Sequence, residues 1–264
     1  MEPLTAVSLD EIRAAQDRIS GIAARTPLVA LGDDVKPSIH LKLENVQPVG
    51  SFKLRGAANS LAAIAADDLR AGIGTASAGN MGRAVALLAA QRGIPCTVVV
   101  PDGAPEAKLE PMRHAGVRII QEPVDQWWQA LVDNRHPDVP GTFLSAFASA
   151  PMIAGNATIG MEIVHDLPEV AAVVVPFGGG GLSSGIACAL RALRPGVPVY
   201  AAEVEHAAPF AAALAAGEPV SIQMRRSFVD GIGSSRVTDV MWPLASSVLA
   251  GSIVVSLQQV REAL

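Results

Sequence analysis

The sequence lacks most features that mark secreted, membrane or nucleic-acid-binding proteins. It has only two cysteines, Cys96 and Cys188, which lie far apart among apolar residues and imply small buried side chains, not a disulfide framework. No apolar run approaches the ~20 residues that span a bilayer, and the first twelve residues carry no secretory signal pattern. Basic runs are absent and the net charge is −5, so nucleic acid and membrane are not expected partners. We expect a soluble, cytoplasmic protein.

What the chain has instead is abundant apolar sequence arranged in short alternating segments. Half of its 264 residues are hydrophobic, which is enough for one large or two small domains. The runs at 96–101, 170–176 and 197–204 are almost wholly apolar, as is typical of strands buried in a parallel sheet. Helical patterns separate these runs, and such alternation predicts βαβ units. The sequence therefore predicts an α/β fold with parallel sheets.

Lys53 is the residue with the clearest chemical potential. It follows an alternating apolar run at 39–44 and opens a helical pattern with Ala57 and Leu61 on one face. The helix dipole and the neighbouring Arg55 both oppose a positive charge there, which predicts a lowered pKa for the Lys53 amine. A neutral lysine amine can form a Schiff base. The alternative interpretation is a solvated surface lysine.

Four consecutive glycines, Gly178–Gly181, connect a predicted strand to a predicted helix. Glycine lets the backbone approach an anion closely, and a helix N-terminus supplies free N–H groups, so this loop predicts a phosphate site. The Lys-Ser/Thr pair of a P-loop is missing, and no Gly-x-Gly-x-x-Gly register fits. Glu203, at a later strand end, resembles a ribose-binding acid and keeps a dinucleotide site open as an alternative.

A second loop of small residues, Ser77–Gly82, precedes another helical pattern. Its backbone can curl around a ligand at the helix N-terminus, and Asn80 offers both a donor and an acceptor. Such a loop suits a carboxylate or a phenolic oxygen. Ordinary helix capping by Ser or Asn is the alternative.

These motifs together resemble one enzyme family. Ser51-Phe52-Lys53-Leu54-Arg55-Gly56, Ser77-Ala78-Gly79-Asn80-Met81-Gly82 and Gly178–Gly181 occur in this order, and 155–162 and 228–231 match further family segments. The combination resembles the threonine/serine dehydratases and serine racemases among the fold type II pyridoxal-phosphate enzymes. The resemblance implies two three-layer αβα domains with parallel sheets: a large cofactor-binding domain at 1–60 and 148–264, and a small domain at 61–147.

The resemblance also implies roles for individual residues. Lys53 would be the catalytic residue, holding pyridoxal phosphate as a Schiff base and removing the α-proton of an amino acid. The implied cofactor-binding residues are Phe52, Lys53, Asn80, Gly178, Gly179, Gly180, Gly181 and Leu182. The implied substrate-binding residues are Ser77, Ala78, Gly79 and Asn80. A homodimer is the implied assembly.

The implied reaction is the conversion of a β-hydroxy amino acid such as threonine or serine to a 2-oxo acid and ammonia. Racemases of the family carry a serine where Ala78 stands, and a methyl group moves no proton, so dehydration is favoured over racemisation. A β-replacement synthase and an amino-acid racemase remain the alternatives. Met81 and Arg83 beside the Asn loop leave the substrate side chain open, including bulkier or acidic ones.

The chain departs from the family pattern in two places. Several members bind a divalent cation through the glutamate matching Glu203 and an aspartate slightly downstream, but no aspartate follows here. Glu205 and His206 are possible substitutes, but a solvated loop is the preferred interpretation, so we expect no metal. Members also continue for several tens of residues, so we expect the C-terminal part of the large domain to be missing. A truncated, non-catalytic cofactor-binding protein is therefore a further alternative.

Overall fold

The computed structural model of the protein describes residues 2–32, 38–225 and 227–264. Two compact units divide the chain. We call Ala14–Ala146 the middle unit, and Met1–Arg13 with Phe147–Leu264 the outer unit. This division groups residues 14–60 with the middle of the chain, whereas the resemblance assigns them to the large domain, and the domain limits at 1–60, 61–147 and 148–264 stay a prediction.

The middle unit is built on parallel strands. Its strands are β1 (Leu28–Ala30), β2 (His40–Lys42), β3 (Ile73–Ala76), β4 (Cys96–Pro101), β5 (Arg118–Glu122) and β6 (Thr142–Phe143). Strands β3–β6 form a parallel sheet in the order β5-β4-β3-β6, while β1 and β2 form a separate antiparallel pair. The helices are α1 (Leu9–Ile19), which contains the boundary with the outer unit, α2 (Lys53–Ala62), α3 (Asn80–Arg92), α4 (Glu106–His114) and α5 (Val124–Asp133).

The outer unit has a second parallel sheet. Its strands, β7 (Val173–Pro176), β8 (Val199–Val204) and β9 (Gly251–Val255), pair in chain order. The helices are α6 (Ala150–Asp166), α7 (Gly181–Leu193), α8 (Pro209–Ala216), α9 (Trp242–Val248) and α10 (Leu257–Ala263). The predicted α/β fold with parallel sheets is confirmed. No helix in the described part of the chain is both long and apolar enough to cross a membrane.

In the described part of the chain, the two faces of the outer sheet are unevenly buried. Side chains alternate between the faces of a strand, and one face carries the buried side chains of Val175, Val199 and Ala201. The strand register places an apolar set on the other face: Val174, Pro176, Tyr200, Ala202 and Ile253. Val174 is 54% exposed and Ile253 is 41% exposed. This face differs from the usual parallel sheet, which is buried on both sides.

The sequence pattern does not reveal every element of the fold. The segment after Gln121, which carries no clear periodic pattern, forms α5 and β6, and Trp127 packs there against the buried core of Ala76, Val99 and Ala130. Helix α8 is rich in alanine and shows no amphipathic period, so the sequence pattern does not predict a helix there. The strand predicted at 39–44 pairs antiparallel with β1 and does not enter a βαβ unit.

Candidate active site

Lys53 is the first residue of α2, as the sequence predicts. Its Nζ donates a hydrogen bond to the carbonyl oxygen of Ala146 at 2.6 Å. Burial lowers the pKa of the Lys53 amine from 10.5 to about 8. The direction matches the sequence expectation, but the cause is loss of solvent. A solvated surface lysine is therefore the wrong interpretation.

Arg55 is not a free charge beside Lys53. It is 1% exposed and binds the carboxylate of Glu44 through two nitrogens, Nε to Oε2 at 2.9 Å and Nη2 to Oε1 at 2.8 Å. The expectation that Arg55 depresses the pKa of Lys53 by repulsion is therefore not supported. The sequence carries no signal that would have paired Arg55 with Glu44, eleven residues earlier.

The Lys53 amine lies at the carboxyl end of the middle sheet. Leu144 extends β6 alongside β3, since its N–H donates to Gly74 and its carbonyl accepts from the Thr75 hydroxyl. Two residues further on, Ala146 accepts the Lys53 amine. In open α/β sheets, ligands bind at the carboxyl ends of the strands. The acceptor for Lys53 is a backbone carbonyl, which no sequence motif reveals.

The loop of predicted substrate residues leaves β3 at this same end. Ser77, Ala78 and Gly79 are half-buried, and Asn80 is exposed as the first residue of α3. Gly79 is the N-cap of α3 and brings no capping side chain, while its N–H donates to the Ser77 hydroxyl at 3.1 Å. The structure thus brings Lys53 and this loop to the same carboxyl end of the middle sheet. The start of α3 offers N–H groups suited to a carboxylate.

Phe52 precedes Lys53 as the N-cap of α2 and makes no capping hydrogen bond. Its half-buried ring has its centroid 5.2 Å from the Lys53 Nζ. An aromatic face at this distance attracts a cation, so the ring contributes to the surroundings of the amine.

The four glycines lie in the outer unit, at the start of α7. Gly180 has φ +86, a left-handed conformation that side chains rarely adopt. A Cβ on Gly179 would lie 2.3 Å from the Phe147 ring, and one on Gly181 would lie 2.4 Å from the Phe147 carbonyl oxygen. Only Gly178 has ordinary room, with its nearest neighbour at 3.5 Å. Packing against Phe147 and backbone conformation therefore explain three of the four glycines.

The backbone at the start of α7 remains suited to an anion. Gly180 is the N-cap and has no side chain to accept from the first N–H groups of the 13-residue helix. Gly178, Gly179 and Leu182 are half-buried, so part of the loop meets solvent. The hydroxyl of Ser183 donates to Gly180, and that of Ser184 faces the sulfur of Met241, so neither extends into the solvent-facing part. The anion-binding capacity lies in the backbone alone.

Glu203 has a structural partner set that sequence reasoning did not predict. Its carboxylate accepts the N–H groups of Phe210 and Ala211, both at 2.8 Å, and the Ser252 hydroxyl at 2.6 Å. It therefore caps α8, while burial raises its pKa. Glu205 accepts the N–H of Leu257 at 3.0 Å. Among the described residues, no three His, Cys, Asp or Glu side chains are grouped to hold a metal ion.

Comparison with known proteins identifies the family. The model of the pyridoxal-phosphate dependent enzymes matches residues 19–264, and the chain belongs to this family. It is 34% identical to the L-threonine ammonia-lyase of Thermotoga maritima over 98% of this chain and 65% of that protein. It is also 34% identical to a serine racemase of Oryza sativa subsp. indica over 95% of this chain and 75% of that protein. The structure of maize serine racemase matches with a TM-score of 0.90, at 32% identity over 98% of this chain and 79% of that one.

These matches confirm the resemblance to fold type II enzymes and identify pyridoxal phosphate as the family's cofactor. They do not separate two reactions, because dehydratases and racemases occur at similar identity. The residues present fit the cofactor. The middle unit has the desolvated Lys53 amine at the carboxyl end of its sheet. The outer unit has a glycine-lined helix start that is suited to a phosphate group.

Proposed function

We propose that the chain is a pyridoxal-phosphate-dependent ammonia-lyase that converts a β-hydroxy amino acid, such as threonine or serine, to a 2-oxo acid and ammonia. The observation that carries the proposal is the environment of the Lys53 amine, which is desolvated and donates a hydrogen bond to the Ala146 carbonyl. The amine lies at the carboxyl end of the middle sheet, where the Ser77–Asn80 loop begins. When bound, pyridoxal phosphate supplies an electron sink that makes the α-proton of an attached amino acid removable.

Lys53 is proposed to hold the cofactor covalently and to take the α-proton. A pKa of about 8 leaves a usable fraction of neutral amine near pH 7, and a base works best when its pKa is close to the working pH. The hydrogen bond to Ala146 uses one N–H of the amine and fixes its direction. In the same unit, Phe52 would pack beside the cofactor ring and the Asn80 amide would bind its phenolic oxygen.

The loop before α3 is proposed to bind the substrate carboxylate through Ser77, Ala78, Gly79 and Asn80. The half-buried Ser77–Gly79 backbone and the uncapped helix start support this role. In the outer unit, Gly178–Gly181 and Leu182 are proposed to bind a phosphate group through backbone N–H groups. Three of these glycines are also needed for packing, so Gly178 is the most informative position for a test.

Ala78 supports dehydration over racemisation. Inverting the α-carbon needs a proton donor on the face opposite the base, and an alanine side chain has no transferable proton. The resemblance implies that racemases use a serine at this position. A chain with Ala78 is therefore expected to release a 2-oxo acid without forming the D-amino acid.

The test compares the wild type with Lys53→Ala and with Lys108→Ala, an exposed lysine on α4 of the same unit. Pyridoxal phosphate attached to the wild type should absorb near about 410 nm, and borohydride should fix its mass on the Lys53 peptide. Lys53→Ala should lose both signals, whereas Lys108→Ala should keep them. L-Threonine or L-serine should then yield a 2-oxo acid with the wild type.

Four outcomes would contradict the proposal in different ways. A label that persists in Lys53→Ala would exclude Lys53 as the anchor. A bound cofactor without turnover of either amino acid would indicate a non-catalytic cofactor-binding protein. D-Serine formed from L-serine by the wild type would indicate a racemase, and sulfide incorporation would indicate a β-replacement synthase. Ala78→Ser should introduce D-serine formation if Ala78 decides between the reactions.

A further inference from the structure

A buried polar network lies under the start of α2. The Glu44 carboxylate accepts the Arg55 guanidinium through both oxygens, the Thr26 hydroxyl at 2.6 Å and the Gln47 amide at 3.1 Å. Arg55 Nη2 also donates to the Ala24 carbonyl at 3.0 Å. Gln47 exchanges hydrogen bonds with the N–H and the carbonyl of Ala24, at 2.9 and 2.8 Å. We call the paired Glu44 and Arg55 side chains the carboxylate clamp.

Glu44 and Arg55 join the two ends of the chain segment that contains Lys53. Glu44 starts a single 3-10 turn at one end, and Arg55 lies in the first turn of α2 at the other. The segment turns at Gly50, where φ is +73. Lys53 is two residues before Arg55. The clamp therefore ties the backbone next to Lys53 to Glu44, which lies before the turn at Gly50.

The start of α2 has no capping side chain that would fix its first turn. Its N-cap, Phe52, is helical in conformation and makes no side-chain cap, whereas most helices begin with a capping Ser, Thr, Asp or Asn. Residues two apart on a helix point about 200° apart. Arg55 therefore turns into the core while Lys53 turns toward the Ala146 carbonyl, which separates holding the helix from presenting the amine.

We propose that the carboxylate clamp of Glu44 and Arg55 is a positioning device for Lys53: it takes the place of a helix cap and holds the first turn of α2 so that the amine stays against the Ala146 carbonyl. Glu44 and Arg55 act through the backbone and are positioning residues. The catalytic meaning of this placement rests on the proposed function, whereas the placement itself belongs to the apoprotein.

The experiment replaces both charges at once, in Glu44→Leu/Arg55→Met. Apolar replacement of a buried ion pair leaves no orphaned charge and commonly preserves the fold. Lys53 in the apoprotein is methylated with formaldehyde and cyanoborohydride across a pH series, and mass spectrometry of its peptide gives the midpoint of reactivity. The wild-type midpoint is expected near pH 8. In the variant, a loosened first turn admits water, and the midpoint should rise toward 10.5, by about one pH unit or more.

The matched control is Asp67→Leu/Arg70→Met, which removes an exposed ion pair of the same unit. It should leave the Lys53 midpoint unchanged. A second readout is the rate at which added pyridoxal phosphate becomes attached to Lys53. That rate should fall on the order of tenfold or more in the clamp variant and stay constant in the control, because small displacements of a reacting group have large kinetic effects.

The proposal is overturned by a clamp variant that keeps the wild-type circular dichroism and also the wild-type Lys53 midpoint, since the clamp would then only stabilise the fold. Arg55→Lys provides a second variant, because lysine keeps the charge but cannot bind both carboxylate oxygens through a planar fork. It should shift the midpoint in the same direction by a smaller amount. If wild-type Lys53 takes no pyridoxal phosphate, the proposed function fails while the methylation profile still judges the clamp.

Discussion

The two helix starts proposed to serve the cofactor are held in opposite ways. In the middle unit, α2 begins at Lys53 and is secured by charged side chains, with Arg55 reaching Glu44 across eleven residues. In the outer unit, α7 begins after the four glycines and is secured by close packing, with Gly179 and Gly181 pressed against Phe147. One start depends on what its side chains bind, and the other depends on having no side chains.

This difference follows from what each start presents. A reactive amine needs a fixed direction, and buried ionic hydrogen bonds fix geometry strongly once made. A phosphate group needs accessible backbone N–H groups, and glycine lets the backbone approach the anion closely. The comparison predicts that the middle unit is sensitive to loss of polar atoms, whereas the outer unit is sensitive to added carbon atoms.

The largest effect is expected from Arg55→Ala. The change removes the buried guanidinium and leaves the Glu44 carboxylate, which is 14% exposed, without its ion-pair partner; this should lower the free energy of unfolding by about 3 kcal/mol. Urea denaturation of the apoprotein measures it. Arg70→Ala is the control, because its pair with Asp67 is exposed, and it should change stability by about 0.5 kcal/mol or less. Equal effects would show that the clamp contributes no more than a surface pair.

Gly179→Ala should break the packing of the other helix start. Its Cβ would meet three atoms of the Phe147 ring within 2.7 Å, and overpacking of this kind lowers stability by about 3 kcal/mol. Gly178→Ala is the matched change one residue away, and it should stay within about 0.5 kcal/mol of wild type because it has ordinary room. Weaker pyridoxal-phosphate binding by a stable Gly178→Ala protein would then report on the phosphate site itself. Similar destabilisation by both changes would refute the packing argument.

Lys53→Met should stabilise the apoprotein in a pH-dependent way. Folding lowers the Lys53 pKa from 10.5 to about 8, so the folded state carries a penalty below pH 8. The penalty is about 3 kcal/mol, offset by about 1 kcal/mol for the hydrogen bond to Ala146, so the net gain at pH 7 is about 2 kcal/mol. The gain should shrink as pH rises from 8 to 10.5, where wild-type Lys53 is neutral when folded but still protonated when unfolded. Denaturation curves at pH 7, 9 and 10.5 test this, and a constant gain would contradict it.

The smallest effect is expected from Asn156→Ala, which removes a polar contact beside the glycine loop. The buried Asn156 amide donates to the Gly181 carbonyl at 3.4 Å, and its Oδ1 has no partner among the described residues. Loss of a long hydrogen bond together with an unsatisfied oxygen should change the free energy of unfolding by about 1 kcal/mol or less. Thermal denaturation of both proteins measures it. A loss as large as that of Arg55→Ala would erase the contrast between the two helix starts.

Sequence reasoning reached the parts of this molecule that are local in the chain. Ser8 and Glu11, three residues apart, form a capping box in which each side chain accepts the backbone N–H of the other. The apolar run at 96–101 is the buried strand β4. The start of α2 at Lys53 also follows its pattern. In each case neighbouring residues settle the outcome, so a short window of sequence carries the information.

The remainder depends on partners that lie far apart in sequence. Ala146 meets Lys53 across 93 residues through its backbone carbonyl, to which its side chain gives no clue. Glu203 has the position of a ligand-binding acid at a strand end, yet it caps α8 because the chain returns to it at Phe210. The direction of the Lys53 pKa was predictable, whereas its cause was not, because burial follows from tertiary packing.

The exposed apolar side chains of the outer sheet have a practical consequence for these experiments. Exposed apolar side chains such as Val174 and Ile253 should bind environment-sensitive dyes while the protein is still folded. Dye-based melting curves would therefore start from a high baseline and understate unfolding. Tryptophan emission avoids this problem and reads both units, since Trp127 and Trp128 lie in α5 whereas Trp242 packs against Phe210 in the outer unit.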